Sequence, residues 1–177
     1  ERWGIDLSDR LLGDISWAVW DSVGGELALI RAPLSNRPLF YSCSRDCVSF
    51  ASLPSALFVT PGLEPELDME RVADCLAGGI YQPGSKSFFR GVSSVPHGHA
   101  VLIKNGTART VSLWQPGAKR TAINVAEAGE AMRSELDRAV KAQSRRGTGV
   151  LACQLSSGRD SGAVAASAAR FDPNVLA

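Results

Sequence analysis

Val150-Leu151-Ala152-Cys153-Gln154-Leu155-Ser156-Ser157-Gly158-Arg159-Asp160-Ser161-Gly162 is the stretch whose reading decides the fold. Its first four residues are apolar and free of charge, the pattern of a strand buried on both faces. After it, Ala163-Val164-Ala165-Ala166-Ser167-Ala168-Ala169-Arg170 is rich in the best helix former and is ended by Pro173. The loop between them therefore joins a buried strand to the start of a helix. Unpaired backbone N–H groups and the positive end of the dipole gather at a helix start, a seat for phosphate. Ser156, Ser157, Gly158, Ser161 and Gly162 are small, so the backbone can come close and hydroxyl donors are added. Asp160 repels a bare phosphate but suits a magnesium ion bound to one. The segment reads as a nucleotide pyrophosphate site. The plain alternative is a Ser/Gly turn that binds nothing, since such turns are common in α/β folds.

The loop is neither a Walker A sequence, because no Gly-Lys-Ser/Thr follows, nor G-x-G-x-x-G. Its order is similar to the S-G-G-x-D-S loop of ATP pyrophosphatases, which split ATP between the α- and β-phosphates.

Around that stretch lie 177 residues, enough for one good core or two small ones. Hydrophobic residues at 45% with 21% charged describe an ordinary globular chain. A net charge of +1 leaves no electrostatic footprint for nucleic acid or an anionic membrane, so neither is expected as a partner. No apolar run approaches the ~20 residues of a membrane span, and no signal peptide opens the sequence. Cys43, Cys47, Cys75 and Cys153 match no zinc spacing and are expected to be reduced, in a cytoplasmic setting. The sequence starts at Glu1 and stops at Ala177 with no partner strand expected after Arg170, so a piece of a longer protein is expected.

Taken in order, residues 1 to about 60 read as an antiparallel β meander. Gly13–Trp20 places Ile15, Trp17 and Val19 on one face, residues 21–25 turn, and Glu26–Ile30 returns. Leu39–Tyr41 and Val48–Ala51 make two more strands around a turn at Ser44-Arg45-Asp46. Trp17 and Trp20 are expected in the core rather than as a platform for bases. Over residues 64–79 the period changes to that of a helix capped by Asp68, with Met69, Val72, Ala73 and Leu76 as its apolar stripe and Gly78-Gly79 at its end. Phe88–Val92 is a short apolar segment. Ala100–Ile103 and Val111–Trp114 form a hairpin across Asn105-Gly106. His97 and His99 stand as H-x-H, read as a turn entering a strand against a metal site lacking further ligands.

Residues 116–122 read as a linker. A helix from Asn124 to about Arg145 follows, with Asn124 and Glu127 at capping-box spacing and Ala128, Met132, Leu136 and Val140 as one stripe. Asp137 and Lys141 are placed to pair at i, i+4, and Arg145-Arg146 with Gly147 suit a helix C-terminus.

In this order the chain resembles the asparagine synthetase family. The matching phrases are Leu12-Gly13-Asp14-Ile15-Ser16-Trp17-Ala18-Val19-Trp20-Asp21, Arg37-Pro38-Leu39-Phe40-Tyr41, Phe50-Ala51-Ser52, Phe89-Arg90-Gly91-Val92, Val95-Pro96-His97-Gly98-His99 and Leu155–Ser161. The resemblance implies an α+β/α/β chain. Residues 1–115 would be an antiparallel β-rich, N-terminal-nucleophile-type glutaminase-like domain. Residues 123–177 would open an ATP-pyrophosphatase-type, Rossmann-like α/β domain. It implies ATP and Mg2+, a small-molecule or peptide carboxylate and ammonia or an amine as partners, with homo-oligomerisation left open. By similarity Leu155 sits by the nucleotide, Ser156, Ser157, Gly158, Asp160 and Ser161 hold the pyrophosphate, and Asp160 also lies near the metal.

The departures are specific. The family loop usually has glycine where Ser157 stands, a hydrophobic residue at Arg159 and serine at Gly162. Arg31-Ala32-Pro33-Leu34-Ser35-Asn36 replaces an R-D-x-L-G pattern. The family's nucleophilic cysteine stands at the mature N-terminus and the first residue here is Glu1, so these residues are not expected to hydrolyse glutamine. Nor are they expected to form an amide alone, because half of the nucleotide pocket is expected to lie outside them. Three readings follow: an asparagine synthetase-like ligase, a lasso-peptide macrolactam cyclase of the same family, or a non-catalytic homologue acting as a binding module.

Overall fold

A computed structural model describes residues 13–78, 84–117, 122–144 and 149–176. The chain divides into two compact units, residues 1–117 and 118–177. Each is described by itself.

Among the described residues the first unit is antiparallel β structure with one α-helix and a 3-10 turn of helix. Strand β1 (Ser16–Asp21) turns back into β2 (Glu26–Arg31), and β3 (Phe40–Cys43) into β4 (Val48–Ala51). A short 3-10 helix, Pro54–Val59, and α1 (Met69–Gly78) follow, then β5 (Ser93–Ser94), β6 (His99–Lys104) and β7 (Thr107–Ser112). Asn105 (φ 50°) and Gly106 (φ 70°) join β6 to β7, both in the left-handed region that a type I′ hairpin demands.

The expected single meander is corrected here. β2 pairs on its far side with β6 rather than β3, giving one sheet in the order β1-β2-β6-β7 and a second in the order β4-β3-β5. The reason lies in Leu27–Ile30 and Ala100–Ile103, which are apolar at every position, as suits strands covered on both faces. On one face Leu29, Val101 and Ile103 meet Leu39, Tyr41 and Val95 of the second layer. On the other, Ile30, Ala100 and Leu102 cluster with Trp17 and Val111. Of the two tryptophans expected in the core, Trp17 is half-buried there, whereas Trp20 is 62% exposed. Trp20 stands near the end of β1 and lines an open cleft of about 630 Å³ with Val48 and Phe50.

In α1 the capping expectation is met: Asp68 Oδ1 accepts the Arg71 N–H at 3.1 Å. The stripe is not the buried face. Met69 and Leu76 are exposed and the buried residue is Arg71, its guanidinium 5.3 Å from the Phe88 ring centre. A long side chain can bury its stem and satisfy its charge on a ring, so periodicity alone misjudged the helix. Gly79 lies outside the described residues. At the H-x-H turn, Gly98 has φ +69°, and His99 Nδ1 lies 2.7 Å from the His97 carbonyl oxygen.

The second unit holds α2 (Val125–Ser144) and α3 (Arg159–Phe171). The capping box forms in both directions: Glu127 N–H donates to Asn124 Oδ1 at 2.9 Å, and Asn124 N–H to Glu127 Oε2 at 3.2 Å. Arg145, Arg146 and Gly147 fall outside the described residues, as do residues 118–121 of the expected linker.

Three expectations are revised. Val150–Cys153 is not a doubly buried strand: Val150 is 71% exposed and Ala152 makes one isolated parallel bridge, to Leu176. A parallel strand is covered only by several neighbours and by helices on its faces, and a single bridge supplies neither. That bridge also overturns the expectation that no partner follows Arg170, because Cys153 N–H donates to Leu176 O at 2.7 Å and Leu176 N–H to Leu151 O at 2.9 Å. Finally, Asp137 turns away from Lys141 to α3, where Ser167 Oγ–H (2.6 Å) and Arg170 Nη1–H (2.7 Å) both donate to it. Lys141 instead stands 5.6 Å from the Phe171 ring centre.

All four cysteines are free. No helix among the described residues is long and apolar enough to cross a membrane.

Candidate functional site

The Leu155–Gly162 loop owes its form to two serines. Ser161 lies within α3, and its hydroxyl oxygen accepts the Ser156 N–H at 3.1 Å. The two hydroxyls, Ser156 Oγ and Ser161 Oγ, are 2.8 Å apart. Ser161 Oγ also lies 3.2 Å from Ser156 O and 3.1 Å from Gly158 O, both acceptors for its proton. Gly158 N–H donates to Ser156 Oγ at 3.2 Å. The loop is thus a small ring of bonds closed by the first turn of the helix.

Gly158 is the N-cap of α3, in extended conformation and with no side-chain bond to the first turn. The first helical hydrogen bond runs from Gly162 N–H to Gly158 O at 3.2 Å. The N–H groups of Arg159, Asp160 and Ser161 therefore have no carbonyl behind them in the helix, which leaves the donors of an anion seat at an exposed end. A Cβ on Gly158 would meet Ser156 Oγ at 3.2 Å, so bulk there presses on the ring. A Cβ on Gly162 meets nothing within 4 Å, so space for the family's serine is present.

Of the residues expected to form the site, Ser156, Gly158 and Ser161 are bonded together in this ring. Asp160 sits in the first turn of α3 and is exposed. Ser157 is exposed and makes no side-chain hydrogen bond among the described residues. Leu155 is 55% exposed and stands outside the ring. Beside the loop, Leu136, Val140, Leu151, Cys153, Ser161 and Val164 line a cleft of about 550 Å³.

A nucleotide with its magnesium fits this donor set. No group of three or more His, Cys, Asp or Glu among the described residues could hold a metal on protein ligands alone. One exposed carboxylate beside free amides suits a hard cation whose other ligands are phosphate and water oxygens. Sequence reading assigned Ser161 to phosphate and did not foresee that its hydroxyl is engaged within the loop. It also missed the bonds from Asp137 to α3. The available signal was a carboxylate beside Leu136 on the apolar side of α2.

Comparison with known proteins gives the lineage. Residues 1–114 match the family model described as a glutamine amidotransferase domain. The chain is 29% identical over 120 residues to asparagine synthetase [glutamine-hydrolyzing] 2 of Bacillus subtilis (strain 168), covering 64% of this chain and 16% of that protein. It is 26% identical over 182 aligned positions to a putative asparagine synthetase [glutamine-hydrolyzing] of Mycobacterium bovis, covering 99% of this chain and 28% of that protein. A protein of the same description from Mycobacterium tuberculosis (strain CDC 1551 / Oshkosh) matches to the same extent. The chain spans less than a third of the length of each of these relatives. It belongs to the glutamine amidotransferase domain family, and the relatives it resembles are described as asparagine synthetases.

Proposed function

We propose that the protein carrying this chain is an ATP-dependent amide-forming ligase of the asparagine synthetase type, with the 118–177 unit opening its ATP-pyrophosphatase-type domain. The observation that carries the reading is the Ser156–Ser161 ring at the exposed start of α3, where the first-turn amides are unpaired. A carboxylate is a poor electrophile until its oxygen is replaced by a better leaving group. Joining it to AMP, with pyrophosphate released, supplies that activation, and an amine then attacks to form the amide.

In this reading the backbone N–H groups of Arg159, Asp160 and Ser161 bind the charge that builds on the departing pyrophosphate. The Ser156 and Ser161 hydroxyls keep that backbone in place, so they cost no reorganisation at the moment of reaction. Ser157 and Gly158 line the phosphate side of the loop, and Leu155 packs by the nucleoside. Asp160 would hold Mg2+, which neutralises phosphate charge and orients the leaving group.

The test is ATP–pyrophosphate exchange by the full-length protein, with aspartate or with an acidic peptide, and with Asp160→Ala as control. Exchange that needs aspartate and is lost in the variant supports the asparagine-type ligase. Exchange with the peptide alone would replace it by a peptide macrolactam cyclase. Nucleotide binding without exchange on either substrate would overturn the ligase reading in favour of a binding module.

A further inference from the structure

The second unit is held together by a thin seam. Although α2 is 20 residues long, none of its residues is buried. The buried residues of α3 are Ser167 and Ala168, at 4% and 0% exposure. Little apolar area thus fixes one helix against the other, and polar contacts carry more of the task.

In that seam Asp137 spends both carboxylate oxygens on α3. Oδ1 accepts from the buried Ser167 hydroxyl and Oδ2 from Arg170 Nη1–H. The Asp137 side chain is 20% exposed and that of Arg170 57%, so the ion pair is screened on one side while the Ser167 bond is shielded. A buried hydroxyl that loses its acceptor is left with its desolvation cost uncompensated. Ser161, the closing residue of the loop ring, lies on the same helix about 9 Å toward its start, at 1.5 Å of rise per residue. A helix moves as a rod over that distance, so its anchorage also sets where Ser161 meets Ser156.

We infer that Asp137 is a positioning residue for the 155–162 loop: by seating Ser167 and Arg170 it sets α3 so that the Ser156–Ser161 ring closes. For its catalytic consequence the inference rests on the ligase reading above. The latch itself has a separate readout.

The experiment is hydrogen exchange on the full-length protein without nucleotide, comparing Asp137→Ala and Asp137→Asn with the parent. The reporters are the bonded amides of Ser156, Gly158 and Gly162. In Asp137→Ala these exchange about tenfold faster, the consequence of losing one buried hydrogen bond, while α2 near its capping box and the β2–β6 sheet are unchanged. Asp137→Asn keeps an acceptor for Ser167 and falls between. Should Asp137→Ala fail to fold, Arg170→Ala removes one arm alone and gives a smaller acceleration at the same amides. Unchanged exchange at the loop, or equal acceleration throughout α2, overturns the inference.

In ATP–pyrophosphate exchange, Asp137→Ala raises KM for ATP with kcat little changed. Combining it with Ser161→Ala adds nothing to the effect of Ser161→Ala alone, since both act through one ring. Additive effects would refute action through the loop. Absence of exchange in the parent defeats the ligase reading and leaves the amide rates to decide the latch.

Discussion

Ser161 Oγ lies 2.8 Å from Ser156 Oγ and accepts the Ser156 N–H at 3.1 Å, closing the loop onto the first turn of α3. One hydroxyl therefore serves both Ser156 and Gly158. Ser161→Ala removes the acceptor for the Ser156 amide and the partner of the Ser156 hydroxyl together. The expected outcome is a fall of at least about tenfold in kcat/KM for ATP–pyrophosphate exchange, with the fold retained by circular dichroism. Activity equal to the parent's would show that the ring does not order the loop.

The reciprocal bonds between Asn124 and Glu127 should decide whether the start of α2 holds. Asn124→Ala costs about 1 kcal/mol, read as lower urea resistance of the second unit's helical signal. Because each partner caps the other, Asn124→Ala and Glu127→Ala combined cost less than the sum of the two. Strict additivity would mean the two bonds form independently.

Asp14 gives the first unit a sign-definite pH dependence. Partial desolvation raises its pKa, but the Ser35 hydroxyl, the Asn36 and Arg37 amides and the Arg37 charge together hold it below the usual carboxylate value. Ser35 Oγ–H and Asn36 N–H donate to Asp14 Oδ1 at 3.0 and 2.7 Å. A folded-state pKa below the unfolded one means its stabilisation is complete above the unfolded carboxylate pKa. It is lost as pH falls through the folded value. The melting temperature of Asp14→Asn should therefore lie below the parent's at neutral pH, and the two should converge in acid. A constant gap across that range would show that the charge is not what matters.

Gly106 tests the β6–β7 turn. Its φ of +70° is strained for any side chain, and a Cβ there would meet Arg45 Cα at 2.8 Å, a backbone atom that cannot swing away. Gly106→Ala should cost about 1–3 kcal/mol in thermal or denaturant unfolding. Gly129→Ala is the contrasting variant, because its Cβ meets nothing within 4 Å and it lies inside α2. That change should be neutral or stabilise by up to about 1 kcal/mol. Similar losses for both would indicate that neither backbone conformation nor space governs these sites.

Local chemistry was legible from residues alone. Asn124 and Glu127 announced the start of α2, Asp68 that of α1, and Asn105-Gly106 the hairpin, because each depends on atoms within four positions along the chain. The loop at 155–162 was visible for the same reason: small residues between an apolar run and an alanine-rich one can be recognised without knowing what packs nearby. The family resemblance, resting on short phrases in order, agrees with the match across residues 1–114.

Partner choice belonged to the tertiary structure. Leu27–Ile30 is apolar at every position and therefore carries no record of which strand lies beside it; burial on both faces selected β6 and split the meander into two sheets. Met69 and Leu76 repeat at helical spacing, yet what α1 buries is Arg71 against Phe88, since a periodicity marks a face and not its contact. Asp137 had an acceptable partner four residues away in Lys141. A buried hydroxyl and a guanidinium on α3 drew it across, because two oriented donors in a half-buried seam satisfy a carboxylate better than one exposed ammonium. Sequence by itself determines the bonds a chain makes with its near neighbours; the competition among distant ones is settled only when folding brings them within reach.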